Sequence, residues 1–85
     1  MITSAACRVK INNELIIIRV HRHCDFFETM SILHIPFDKN DVEQGFINYN
    51  GKKEEFVNRQ VAASIAYECG QIKAPIHILY SEDLW

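Results

Sequence analysis

Two points at which the chain must reverse direction constrain this sequence more than any other feature. The first is Asn12-Asn13, which stands between an alternating stretch (residues 3–11) and an apolar one (residues 14–20). A two-residue hairpin turn requires the left-handed backbone region, and asparagine enters it at lower cost than most residues. The second is Asn50-Gly51, a stronger signal of the same kind, flanked by residues 45–49 and 55–57. Two β-hairpins are therefore predicted. In the opening strand Ala5, Cys7, Val9 and Ile11 share one side, while Ser4, Ala6, Arg8 and Lys10 share a wetter one. The return strand carries Ile16-Ile17-Ile18, apolar on both faces, which predicts a central strand or one covered on its second side by a helix or a partner subunit.

Helical signals fill the remainder. Asp25 is placed to cap a helix, with Glu28 three residues on to close a capping box. Phe26, Met30 and Leu33 then recur at helical spacing, and the helix should stop before Pro36 because the ring disfavours helical geometry at Ile35. Residues 36–44 read as a loop. Asn58 and Gly70 bracket a second helix over residues 59–69, with Ala62, Ile65, Ala66 and Cys69 turned inward. Beyond Pro75, residues 76–80 are predicted as a short last strand with Ile76, Ile78 and Tyr80 on one face. The order ββαββαβ predicts an α+β fold: a small antiparallel sheet of two hairpins plus a C-terminal strand, with two helices on one face.

Eighty-five residues suffice for one domain, residues 1–85. A chain this short buries only about 60% of the surface it exposes when unfolded, which favours a homodimer or higher homo-oligomer. The net charge of −2 supplies no general attraction for a nucleic-acid polymer. The apolar run at residues 15–18 is too short to span a bilayer, and residues 1–10 have no signal-peptide pattern, so a cytoplasmic protein without membrane association is expected. Cys7, Cys24 and Cys69 form an odd set without CxxC spacing, which suits a reducing compartment and predicts Cys7 and Cys69 as small buried side chains.

The densest polar cluster runs from Arg19 to Asp25 and contains His21, Arg22, His23 and Cys24. Three chemistries compete for it. His21 and His23 with Cys24 or Cys69 offer zinc-type ligands, but no second pair at ligand spacing follows, so no metal site is assigned. A nucleophilic pair of Cys24 or Cys69 with His23 lacks a surrounding signature, so no catalytic set is assigned either. Anion recognition is the third. Arg22 and His23 precede the first predicted helix, whose free amides favour negative charge. Arg59 stands in the first turn of the second helix, where a cation opposes the macrodipole. It points into solvent, pairs with Glu54 or Glu55, or grips a phosphate in two-pronged fashion. Phe46, Tyr49, Phe56, Tyr67, Tyr80 and Trp85 offer rings for a base, and Asn48 offers polar groups for base edges.

Arg22-His23 with Asp25, Gly45-Phe46, Phe56-Val57-Asn58-Arg59, Ala62, Ile65-Ala66, Gly70-Gln71 and Leu79-Tyr80-Ser81-Glu82-Asp83-Leu84-Trp85 together resemble a small protein family encoded widely by bacteriophages. The pattern is also similar to the anti-defence sponges that phages use against the Thoeris immune system. The resemblance implies a dimer-based assembly that sequesters a cyclic ADP-ribose-type signal between subunits without cleaving it and without a cofactor. It makes Arg22, His23, Phe46, Arg59 and Gln71 ligand contacts, and Asn48 joins them from the hairpin reading. Gln60-Val61, where acidic residues are expected, and Cys24, where a second His is common, depart from the pattern. Two rival expectations stand beside it. One is an inhibitor that docks on a host protein through residues 80–85. The other is a small nucleotide hydrolase using His21, His23 and Asp25.

Overall fold

The chain, described over all 85 residues in a computed structural model, builds its sheet from two hairpins laid side by side. β1 (Ile2–Ile11) and β2 (Glu14–Val20) form the first, and β3 (Val42–Tyr49) and β4 (Glu54–Asn58) the second. β1 pairs with β3, giving an antiparallel sheet in the order β2-β1-β3-β4. The turn between the first two strands is the expected one, with Asn12 and Asn13 at φ 51° and 64°. The second hairpin has a longer loop. Gly51 takes φ 92°, while the Asn50 side chain accepts from the amides of Lys52 and Lys53, both at 3.1 Å. Asn50 thus serves as a side-chain turn rather than as half of a two-residue one.

Helices α1 (His23–Ile32) and α2 (Arg59–Glu68) cover one face of the sheet. Below α2 lies a core of Ile2, Ala5, Phe46, Ala62, Ala63, Ala66 and Leu79. Beneath α1 lies a second core of Cys7, Val9, Phe26 and Met30. Phe26 and Phe46 are completely buried, and each such ring contributes about 1.5–3 kcal/mol relative to exposure. Burial also pushes the Cys7 thiol up to about 11, so it packs as an inert small hydrophobe.

Both helices close with the same backbone device. In α2 the amide of Gln71 reaches the Ala66 carbonyl at 2.8 Å and that of Gly70 reaches Tyr67 at 3.2 Å, with Gly70 left-handed as expected. In α1 the corresponding bonds run from Ile35 to Met30 and from His34 to Ser31, with His34 at φ 54° in the glycine position.

Several expectations need correction. α1 begins three residues early, with Arg22 as its cap residue. Asp25 is therefore the third helical residue, whose carboxylate accepts from the Arg22 amide at 3.1 Å, the part expected of Glu28. The inward stripe of α1 is His23, Phe26 and Met30, and Leu33 is exposed. In α2 Ala63 is buried instead of Cys69, which lies at the exposed helix end. β3 starts at Val42, inside the stretch read as loop. β2 is an edge strand, not a central one.

Residues 76–80 form no strand. The segment bends at His77 and Ile78 and joins the fold through one backbone bond from the Leu79 amide to the Arg59 carbonyl at 3.0 Å, with Leu79 as its buried side chain. A short 3-10 turn, Ser81–Asp83, follows.

Gly45 marks the tightest point of the sheet. A methyl group there would strike the Phe56 ring and the Val57 carbonyl, and the carbonyl belongs to paired backbone that cannot step aside. Gly45→Ala is expected to destabilise the protein by about 1–3 kcal/mol, the usual range for overpacking. Urea unfolding followed by circular dichroism checks this.

Candidate functional site

Gly45 pairs with Asn58, the residue that caps α2, so α2 leaves the sheet beside it. Asn58 Oδ1 accepts from the Val61 amide at 2.8 Å, and helix geometry leaves the preceding amides without intrahelical acceptors. The side chain of His23, the first residue of α1, reaches the same point from the opposite direction. Its Nε2 donates to the Gly45 carbonyl at 2.7 Å, and its ring meets the edge of Phe46 at 5.0 Å between centroids. The first turns of both helices therefore line one cleft of about 310 Å³, with Gln44 as a sheet residue between them.

The C-terminal segment supplies the remaining wall. Tyr80, Ser81 and Glu82 line the cleft together with His23, Cys24, Phe27 and Arg59. Ser81 is buried, and its hydroxyl accepts from the His23 amide at 3.4 Å. Asp83 holds the turn by accepting from the Tyr80 amide at 2.8 Å.

Arg59 stands at the first position of α2, in a turn that contains no acidic residue. Its guanidinium carbon lies 5.6 Å from the centroid of the Tyr80 ring, a cation–π distance. The acids nearest in sequence are engaged elsewhere: Glu54 pairs with Arg19, and Glu55 accepts from Asn48. The guanidinium also borders a second cleft of about 370 Å³ with Glu43, Gln44, Asn58 and Gln60. The largest cleft, about 800 Å³, lies at the far end of α1 between Met30 and Lys39 and contains none of the six expected ligand residues. Arg59 borders both smaller clefts, and His23 enters one of them.

The six residues expected at a ligand separate into two groups. His23 and Arg59 come together in the cleft, whereas Arg22 is outside its lining and donates to the Trp85 carbonyl at 3.0 Å. Phe46 lies below them, completely buried beneath the His23 ring and stacked at 6.3 Å on Trp85. Asn48 and Gln71 sit elsewhere and hold the N-terminal strand. Asn48 accepts from the Met1 amino group at 2.8 Å. Gln71 accepts from the Ile2 amide and donates to the Ile2 carbonyl, both at 2.8 Å, as a neighbouring strand would. Gln44, Ser81 and Glu82 were not singled out as contacts, because only the fold brings β3 and the C-terminal segment to the helix ends.

His21 lies against Trp85 with ring centroids 6.2 Å apart, whereas His23 turns inward, so the H-x-H pair does not converge. No three His, Cys, Asp or Glu side chains gather as a ligand set. No helix is long and apolar enough to cross a membrane.

Burial lowers the affinity of His23 for a proton, and the Arg59 charge acts in the same direction. The bond to Gly45 and the Glu82 carboxylate oppose them, and the outcome is a value below the ordinary one. The unfolded chain takes up this proton near pH 6.5 while the fold resists it. Stability should therefore fall as pH drops below about 6.5 and go on falling until the lowered folded value is passed. Thermal melts from neutral to mildly acidic pH should show this loss, and His23→Gln, which keeps a donor for Gly45, should flatten it.

Searches of curated proteins and of solved structures returned no match. A family model does match, and it spans residues 1–85. Taken together with a sequence pattern that runs from the first strand to the closing Trp85, that coverage places the chain in the Phage T4 y16D protein family.

Proposed function

We propose that this phage protein binds a nucleotide-derived small molecule, with a phosphate seated between the first turns of α1 and α2, and sequesters it without cleavage. The observation that carries the reading is Arg59, a cation at the wrong end of a helix dipole. Surface placement there costs about 0.3–1 kcal/mol, and no carboxylate forms an ion pair with it, its contact within the chain being the Tyr80 ring. A phosphate would reverse the balance, because it suits both the guanidinium and the exposed amides.

The other walls favour a nucleotide over a bare anion. Tyr80 offers an exposed ring in place of the buried Phe46. Glu82 would repel a free polyphosphate but can accept from ribose hydroxyls. At about 310 Å³ the cleft lies at the small end for ligand sites, so it would hold the phosphoribosyl portion and leave the rest of the ligand outside. The resemblance to Thoeris anti-defence sponges supports a cyclic ADP-ribose-type immune signal as that ligand, captured in the host cytoplasm so that its effector is starved.

Binding without turnover fits the engagement of the side chains a hydrolase would use. His23 Nε2 is held by Gly45, and Asp25 is held by the helix cap it completes. Docking on a host protein through residues 80–85 fits less well, because Leu79 and Ser81 are buried and Leu84 and Trp85 pack on the core.

Isothermal titration with cyclic ADP-ribose isomers and cyclic oligonucleotides tests the proposal. One ligand should bind and be recovered intact after heat denaturation. Arg59→Ala should weaken it about 10- to 100-fold, as expected for loss of a charged hydrogen bond of about 1.5–3 kcal/mol. Inorganic pyrophosphate should bind more weakly than the nucleotide. Absence of heat across the panel at micromolar concentration would defeat the reading.

A further inference from the structure

β2 has the composition of a central strand and the position of an edge. Its sequence Glu-Leu-Ile-Ile-Ile-Arg-Val contains no proline and no lysine, and its seven residues pair with β1 in unbroken register. None of the seven is fully buried. On the sheet face that the helices leave open, Leu15 and Ile17 are 65% and 46% exposed. Ile16 and Ile18, on the helix side, are only half-buried.

Edge strands are normally blunted by shortness, charge, proline or a bulge, because their free amides and carbonyls are a template for another strand. The opposite edge obeys that rule. β4 has five residues and begins with Glu54-Glu55. The contrast between the two edges of one sheet singles out β2.

We propose that a second copy of this chain pairs with β2 in antiparallel fashion about a two-fold axis through Ile17, joining two four-stranded sheets into one of eight strands. Directly opposed residues in such a pair share a face, so the register must match odd with odd and even with even. Centring on Ile17 satisfies this over the whole strand. Ile17 meets its own copy, Ile16 meets Ile18, Leu15 meets Arg19 and Glu14 meets Val20. The charged residues of the strand, Glu14 and Arg19, never face a like charge, and the Ile16–Ile18 run becomes the centre of the new sheet. A homodimer is an isologous contact, and a strand that complements itself supplies one without a second surface. The contact is independent of the anion cleft, so neither proposal falls with the other.

The test reads both association and register. Analytical ultracentrifugation of the full chain should find a dimer in the micromolar range. Ile17→Lys places two cations on the axis at a position already half exposed in the protomer, so it should yield a folded monomer with an unchanged circular dichroism spectrum. With the exposed Cys24 and Cys69 replaced by Ser, Ile17→Cys should form a disulfide-linked dimer on mild oxidation. Paired Cα atoms at that position would lie about 4.5–5.5 Å apart, within disulfide reach. Leu15→Cys should not, because two copies of residue 15 would be offset by four residues, about 13 Å along the strands. A wild-type chain that stays monomeric throughout, a dimer that survives Ile17→Lys, or equal cross-linking at residues 15 and 17 would overturn the proposal.

Discussion

The hydrogen bond from His23 to the Gly45 carbonyl is the fastening on which the arrangement of the helical layer depends. At 2.7 Å it ties the first residue of α1 to the strand position beside which α2 begins. It adds a directional tie to the packing of Phe26 on Cys7 and Val9 and of the His23 ring on Phe46. The bond has a requirement of its own, since Gly45 must carry no side chain if Phe56 is to lie over it on the open face. The close approach of a helix on one face and a ring on the other thus converges on a single glycine, and Phe46 fills the space beneath the imidazole.

The C-terminal segment turns that fastening into a cleft. Leu79 docks on the start of α2, Ser81 on the start of α1, and the Trp85 carbonyl accepts from Arg22. A segment that touches the first turns of both helices fixes their separation more firmly than either helix could alone. The acidic, aromatic stretch at the end of the chain is therefore built into the fold, and its side chains enter the proposed site from that position.

Local chemistry was readable and distant chemistry was not. Asn12-Asn13, Asn50-Gly51, Asn58 and Gly70 each act on backbone within a few residues, and the turns and the helix they predict are present. The sheet that unites the two hairpins depends on β1 meeting β3, about forty residues apart, for which the sequence holds no local signal. The same limit applies to Gln71, which binds Ile2 across 69 positions, and to Asn48, which binds Met1 across 47. Residues 76–80 alternate as a strand should, yet they bend at His77 and Ile78 and are anchored by the buried Leu79. β2 is at an edge of the sheet for a different reason. Its apolar run suits a sheet interior, and within one protomer no further strand exists to provide that interior.

The electrostatics of the cleft divide its labour between two cationic types. Burial keeps His23 neutral at physiological pH, so positive charge there comes from Arg59 and the helix ends alone. Above the range in which His23 titrates, a site of that kind would hold an anion with an affinity that does not follow pH, since arginine stays charged. Protonation of His23 would raise the attraction for a phosphate, but it would do so by charging the group that fastens α1 to the sheet. The fold therefore loses stability under the conditions that would strengthen the field, and a bound phosphate would work in the opposite direction by favouring the protonated ring.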